Sequence, residues 1–453
     1  VSTADQIVTE ITARDQRIVV SEPDVDGLRE RAAEKVPDNV NADALPVGEP
    51  TRKAVVPDPT SDRKTGQRNR RSHMANLNEG HDAAPAMSTV PSSTMAVRVF
   101  EHGDPGKLIY GEYALDEPGP RDVVVKVRAT SVSGWDIKYR AGLSFSLPGR
   151  VMFPLPQQLG REAAGEVVAV GSEVQELSVG QRVVGVVHPE NFASREAARG
   201  LGNLSTGIAL PGHQALGSYA QYLMRDESMW LALPDDTDFE QAAVTLWPFA
   251  TSHRAVTERL QVRLGDAVII AGISGGMGLA TAQLAHLAGA RVFGVTRSST
   301  KASALRALDA VDDVVVYEDP SEAQRQLREL TGGYGAEHAI DYSGDPGMLP
   351  TLVGALALGG KLALTSGEQH PDTLPIMIRD FMRLELSVLG VRGARASDTR
   401  VIRGLLATGR INMPIAARFA LSQAAAAHEW FERERDQIGR VILDPWAEAG
   451  SEG

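Results

Sequence analysis

The sequence predicts an α/β protein in which a β-rich lobe precedes a doubly wound parallel-sheet lobe. Three observations carry this. From about residue 240 strand-like and helix-like runs alternate, which implies βαβ units and a parallel sheet covered on both faces. From residue 95 to that point, short β-branched runs are punctuated by glycine and charged residues. Between the apolar run "DAVII" and a helical run lies a glycine-rich turn, "AGISGGMGLA", residues 271–280.

In the first lobe "DVVVKVRATSV", "AAGEVVAVGSEV" and "QRVVGVV" read as strands, because β-branched residues suit a pleated, half-buried surface. In the second, strand "DAVIIAG" leads to helical "MGLATAQLAHLAGA", strand "RVFGVTR" and helical "STKASALRAL". Strand "VDDVVVY", helical "SEAQRQLREL", and strands "AEHAIDYSG" and "GGKLALTSG" follow. From "RLELSVLGVRG" to "GRVILDP" the pattern is mixed and reads as a return to the first lobe. The expected limits are 95–240 for the first part of the β-rich lobe, 241–380 for the parallel-sheet lobe, 381–446 for the return and 447–453 for a tail.

Residues 1–94 differ from the rest. No Phe, Trp or Tyr precedes Phe100, and such a stretch cannot bury enough apolar surface to offset its ordering entropy. A disordered extension is expected, with at most a short helix at "DVDGLRERAAEKV". Its basic cluster, Arg63, Lys64, Arg68, Arg70 and Arg71, has no interleaved aromatics and reads as a solvated linker.

Composition narrows the function classes. The net charge of −12 argues against a nucleic-acid partner, and 43% hydrophobic residues supply real cores over 453 positions. The absence of cysteine removes disulfides, thiolate zinc sites and cysteine nucleophiles. No apolar run approaches the roughly 18–20 residues that span a bilayer, so a cytoplasmic protein with no membrane partner is expected.

A strand–glycine turn–helix unit holds phosphate because glycines admit close approach and the helix N-terminus offers free N–H groups. Ser274, Gly275, Gly276, Met277 and Gly278 form that turn here, although Ile273 stands where the first glycine of the usual dinucleotide fingerprint would fall. At the end of the next strand an NAD site wants Asp or Glu. This chain instead has Thr296, Arg297, Ser298, Ser299 and Lys301, a cationic, hydroxyl-rich set that suits a 2′-phosphate. NADPH is therefore the expected cofactor. Gly344, in "DYSGD", and Ser366–Gly367 end strands where ligands collect in open α/β sheets.

These residues carry a family resemblance. "AGISGGMGLATAQLAHLAGARVFGVTRSSTK", "LTGGYGAEHAIDYSG" and "LALGGKLALTSG" resemble the cofactor domain of the medium-chain dehydrogenase/reductase superfamily, nearest its zinc-free quinone oxidoreductase and enoyl reductase branch. "SVSGWDIKYRAG" and "GREAAGEVVAVGSEVQELSVGQRVVG" resemble that superfamily's catalytic domain, and "LPGHQALGSYAQYLMRDESMWLALPDDTDFEQAAVTLWPFATSHRAV" resembles the crotonyl-CoA reductase/carboxylase group. The resemblance covers about residues 95–446 and implies a GroES-like catalytic lobe, a Rossmann lobe and an active site in the cleft between them.

Departures from the pattern matter as much. Ser133 and Arg161 stand where zinc-binding members carry Cys and His, so the resemblance implies no catalytic zinc and hydrogen-bond polarisation of a carbonyl. Enoyl reductases of this type place a Tyr near the position of Ser144, which puts that donor in doubt. His213 and Gln214 replace the Phe and Glu of carboxylating members, so carboxylation is not expected.

Hydride transfer needs a fixed nicotinamide and a donor for the charge that develops on oxygen. Asp136 and Tyr139, in "WDIKYR", are candidates to face the cleft, with loop orientation and wall packing as their alternative roles. His213 is a candidate proton donor or a loop hydrogen-bonder. Thr251 matches a position near the nicotinamide in relatives, or caps a helix start, and His253 beside it is read as packing. The expected reaction is NADPH-dependent reduction of an activated C=C in an enoyl thioester, enone or quinone, by a homodimer on analogy with relatives. Carbonyl reduction, rearrangement of a biosynthetic intermediate and an inactive NADPH-binding scaffold are the alternatives.

Overall fold

The computed structural model describes residues 90–143, 154–345, 347–365, 377–434 and 436–448. The expected extension falls outside the described residues up to residue 89, as do Ser144, Ser366, Gly367 and the tail from residue 449.

The run "DAVII" becomes the central strand of a parallel sheet because every residue of Ala267–Ala271 is buried from both sides. Val268 and Ile270 meet Leu279 and Val292 on one face, while Ile269 meets Phe293 and Leu352 on the other. Truncating a side chain as buried as Ile269 to Ala costs about 2–5 kcal/mol. Among the described residues the sheet has six strands, ordered Asp313–Val316, Arg291–Thr296, Ala267–Ala271, Ala336–Asp341, Leu356–Leu364 and Ser387–Gly390. In chain sequence this is 3-2-1-4-5-6, so the switch point lies between Ala267–Ala271 and Ala336–Asp341. Ligands of doubly wound sheets gather outside the carboxyl ends of the strands at that point.

The β-rich lobe is built on Asp122–Val132, which pairs antiparallel with Ala163–Val170, Tyr222–Asp226 and Arg440–Asp444. Ile415–Ala420 lies beyond Arg440–Asp444 at one end, and Arg182–Gly185 and Trp230–Ala232 extend the other. A smaller sheet joins Leu108–Ala114, Ser93–Val99 and Gln157–Gln158.

Two boundaries differ from the sequence expectation: the strand Ser93–Val99 begins inside the extension expected over 1–94, because Ser93 and Thr94 pair with Ala114 and Tyr113, and the parallel sheet runs past residue 380. Ser387–Gly390 pairs in parallel with Leu356–Leu364, so the chain is still in the parallel sheet beyond residue 380. It rejoins the other sheet only at Ile415–Ala420. A four-residue run carries too few positions for periodicity to decide which sheet it enters.

The helix Phe239–Arg254 ties the two sheets together. Asp238 caps it, its carboxylate accepting from the Gln241 N–H at 2.8 Å. It packs on Asp122–Val132, on the helix Gly276–Leu287 and on the helix Ala396–Ala407. Among the described residues, no helix is long and apolar enough to cross a membrane.

Candidate active site

A cleft of about 720 Å³ opens between the glycine turn and the β-rich lobe. The turn forms its floor. Gly272 takes φ +75°, and a Cβ there would stand 2.9 Å from the Ser343 nitrogen. Only glycine fits that position. The tight turn that the fingerprint assigns to its first glycine is thus made one residue earlier than counted from sequence, while Ile273 is buried in the core. At Gly278 a Cβ would lie 2.4 Å from the Gly272 carbonyl oxygen and 2.5 Å from Ile273 Cα, so helix and strand pack through this glycine. Gly275 precedes the helix Gly276–Leu287 and faces open space, where a Cβ would meet nothing nearer than 3.7 Å. Ser274, Gly275, Gly276, Met277 and Gly278 all line the cleft, with the helix N-terminus aimed into it. The arrangement fits a bound pyrophosphate.

The strand-end residues divide. Lys301 lines the cleft, its Nζ 3.3 Å from the Ser274 hydroxyl. Ser298 is occupied: its hydroxyl accepts from the Lys301 N–H at 3.1 Å and donates to Asp436 at 2.6 Å. Thr296 Oγ1 accepts from the Ser298 N–H at 3.2 Å. Arg297 has a side chain 74% exposed, reaches Asp345 at 3.9 Å and is not part of the cleft wall. Gly344 is buried with φ +66° just past the strand Ala336–Asp341, while Tyr342 and Thr365 reach the cleft itself.

Asp136 does not face the cleft. It is 0% exposed and sits in the first turn of the helix Gly134–Arg140. One carboxylate oxygen accepts from the Ser133 N–H at 2.9 Å and the Ser133 hydroxyl at 2.6 Å; the other accepts from the Gly160 N–H at 2.9 Å. Burial pushes its carboxyl above the usual range, against the pull of these donors and of Arg161. Its role is to join the helix start to the Gly160 loop, which corrects the expectation that it points at substrate.

Tyr139 and His213 do line the cleft and stack, ring centres 4.7 Å apart and planes 18° from parallel. The His213 loop is fixed by its N–H donating to the Leu210 carbonyl at 3.1 Å and its carbonyl accepting from Gln157 Nε2. Thr251 lines the cleft from the interior of Phe239–Arg254, so it caps no helix start. Its Oγ1 is buried without a hydrogen-bond partner among the described residues. His253 points elsewhere and meets Asp398 at 2.8 Å.

Three arginines on the wall were not among the sequence candidates. Arg161 stands over the Trp247 ring at 4.5 Å. Arg440 donates to Ser131 Oγ at 2.7 Å and pairs with Glu162. Arg392 is half-buried, and burial pulls its guanidinium below the ordinary value. Arg440 also fixes the turn, since a Cβ on Gly276 would lie 2.6 Å from its Cδ. A guanidinium inside apolar strand "GRVIL" is the one signal that singles out Arg440.

With this geometry in place, the similarities to known proteins are specific. Residues 119–235 match the family described as "Alcohol dehydrogenase GroES-like domain", and residues 276–407 match "Zinc-binding dehydrogenase". A quinone oxidoreductase of Pseudomonas aeruginosa is 30% identical over 355 residues, spanning 77% of this chain and 98% of that protein. The chain belongs to the medium-chain dehydrogenase/reductase superfamily, in its quinone oxidoreductase branch. Among solved members, AibC superposes with a TM-score of 0.72 at 27% identity, over 82% of this chain and all of that one (100%). The crotonyl-CoA carboxylase/reductase AntE, solved with NADP, shares the fold: TM-score 0.70 at 21% identity, over 80% of this chain and 97% of AntE. The GroES-like and Rossmann lobes are therefore those of a medium-chain oxidoreductase, with a cleft suited to a nicotinamide cofactor and a small molecule.

Proposed function

We propose that the chain is a zinc-independent, NADPH-dependent reductase of an activated C=C, in an enoyl thioester or an enone or quinone. One observation carries the reading: the glycine turn opens into the same cleft as Tyr139, His213, Thr251 and Arg161. NADPH supplies the hydride when bound. Gly275, Gly276 and the helix N-terminus would hold its pyrophosphate, and Lys301 its adenosine phosphate, with exposed Arg297 close enough along the chain to reach the same group. Thr251 offers a hydroxyl to the carboxamide or substrate side, and the stacked Tyr139–His213 pair adds a polar edge to a wall that also carries Arg161.

Zinc independence is supported by the donor set. Arg161 puts a positive guanidinium where zinc-binding relatives carry an imidazole, and Glu162 Oε2 is taken by Ser131 and Arg440. A divalent cation there would meet the charge of Arg161 and Arg440, with only Glu162 Oε1 uncommitted as a ligand. A homodimer formed along the edge strand Ser387–Gly390 and a cytoplasmic location belong to the same reading.

The test is NADPH consumption with separate panels of enoyl-CoA thioesters, enones and quinones, before and after exhaustive chelation. Turnover with at least one panel, unchanged by chelation and faster than with NADH, is expected. Turnover only with added zinc, or with NADH alone, contradicts the reading.

A further inference from the structure

Arg161 is the largest unexplained group in the cleft. The side chain lines the cavity, yet the residue is 3% exposed, and its Nε and Nη2 have no hydrogen-bond partner among the described residues. A buried guanidinium with idle donors is costly unless something accepts from it. The neighbouring carboxylates do not. Asp136 is filled by Ser133 and Gly160, and Glu162 Oε2 by Ser131 and Arg440, while Glu162 Oε1 is buried and accepts from no described residue, Arg161 included. Another cation lies close behind: Arg225 is buried, and burial together with Arg161's charge pushes its guanidinium down to about 9, which leaves Arg225 protonated at neutral pH. The buried set is thus Arg161, Arg225 and Arg440 against Asp136 and Glu162, a surplus of positive charge at the cleft wall.

The guanidinium is also held in place. Its plane is backed by the Trp247 ring at 4.5 Å, and its stem lies against Gly212, where a Cβ would come 3.3 Å from Arg161 Cγ. A planar fork fixed in this way is preorganised for a planar oxygen acceptor.

We propose that Arg161 is the anion-recognition group of the cleft, its unpartnered N–H groups donating to the carbonyl oxygen of an α,β-unsaturated substrate. This rests on the reductase reading for its chemistry and deepens it. As the β-carbon gains a hydride, the C=C π pair moves into the bond between the α-carbon and the carbonyl carbon and the C=O π pair moves onto the oxygen, which becomes an enolate oxygen. A proton then adds to the α-carbon and the carbonyl re-forms. Arg161 meets an oxygen that becomes more negative along this path, so its hydrogen bonds strengthen towards the transition state.

The probe is cinnamate, a planar carboxylate that presents a permanent negative oxygen beside a C=C. It is titrated by calorimetry into the full chain saturated with NADP⁺, for the wild type, Arg161→Gln and Arg161→Lys, with NADP⁺ affinity measured alongside. Cinnamate affinity is expected to fall by about tenfold or more in Arg161→Gln and by less in Arg161→Lys. NADP⁺ affinity is expected to hold in both, which reports an intact fold and cofactor site. Cinnamate binding that is absent in the wild type, or equal in wild type and either folded variant, overturns the proposal. If cinnamate binding depends on Arg161 while the wild type reduces no enone, thioester or quinone, the anion site stands and the reductase reading falls.

Discussion

The Arg161 guanidinium rests on the face of Trp247, 4.5 Å from the ring centre, in the cleft into which the glycine turn opens. Trp247 comes from the helix that joins the two sheets, and Arg161 from the segment leading into Ala163–Val170. A desolvated cation–π contact contributes about 2 kcal/mol or more. Trp247→Leu is expected to lower stability by about 1–3 kcal/mol and to reduce turnover more than it reduces NADPH affinity. Denaturant midpoints, steady-state kinetics and cofactor titration check both parts.

Two glycines of one turn predict opposite outcomes. Gly278→Ala forces a Cβ to within 2.4 Å of the Gly272 carbonyl, so it should destabilise the fold by about 1–3 kcal/mol and weaken cofactor binding as a consequence. Gly275→Ala meets nothing nearer than 3.7 Å and has a backbone φ of −81° that alanine adopts freely. It should leave the melting temperature unchanged and still weaken NADPH binding, because the added methyl occupies the phosphate approach. Equal NADPH affinity in Gly275→Ala and wild type contradicts the cradle.

Lys301 is the strand-end cation that reaches the cleft. Lys301→Ala is expected to weaken NADPH by about tenfold, the worth of one charge-assisted hydrogen bond, and to leave NADH nearly untouched. Fluorescence titration with the two cofactors gives the ratio directly.

Acid sensitivity should trace to His428. It is fully buried in the β-rich lobe with Nε2 3.0 Å from the Tyr219 hydroxyl, and burial, aided by Arg140, holds its imidazole down to about 3. An unfolded histidine titrates near 6.5. Below that pH the unfolded chain gains a proton that the folded chain refuses, so stability falls as pH drops from about 6.5 towards about 3. The slope from this one group is at most about 1.4 kcal/mol per pH unit. His428→Gln should flatten the acid limb of a stability-versus-pH curve measured by denaturant unfolding.

The parallel lobe was legible because its signals are local. A buried strand, a glycine turn and a helix follow one another within residues 267–287, and spacing alone exposes them. The turn itself is set by backbone geometry that spacing does not show: Gly272, at φ +75°, does the work that a count from the fingerprint assigns to position 273. Asp136 shows the other limit. Its sequence places a carboxylate on a short helix, but the Gly160 N–H that claims it lies 24 positions away. The cations were hidden for the same reason. Whether Arg161 points to solvent, a carboxylate or a cavity depends on Trp247 and Gly212, which only the tertiary fold brings beside it.

The central claim is hydride delivery to carbon of an activated double bond. Its most direct test is turnover of an enone or enoyl thioester with NADPH deuterated at the transferring position, read by NMR of the product. The account predicts deuterium at the β-carbon, with the carbonyl intact. Deuterium on a carbinol carbon, or no transfer to any member of the panel by protein shown to bind NADPH, contradicts it.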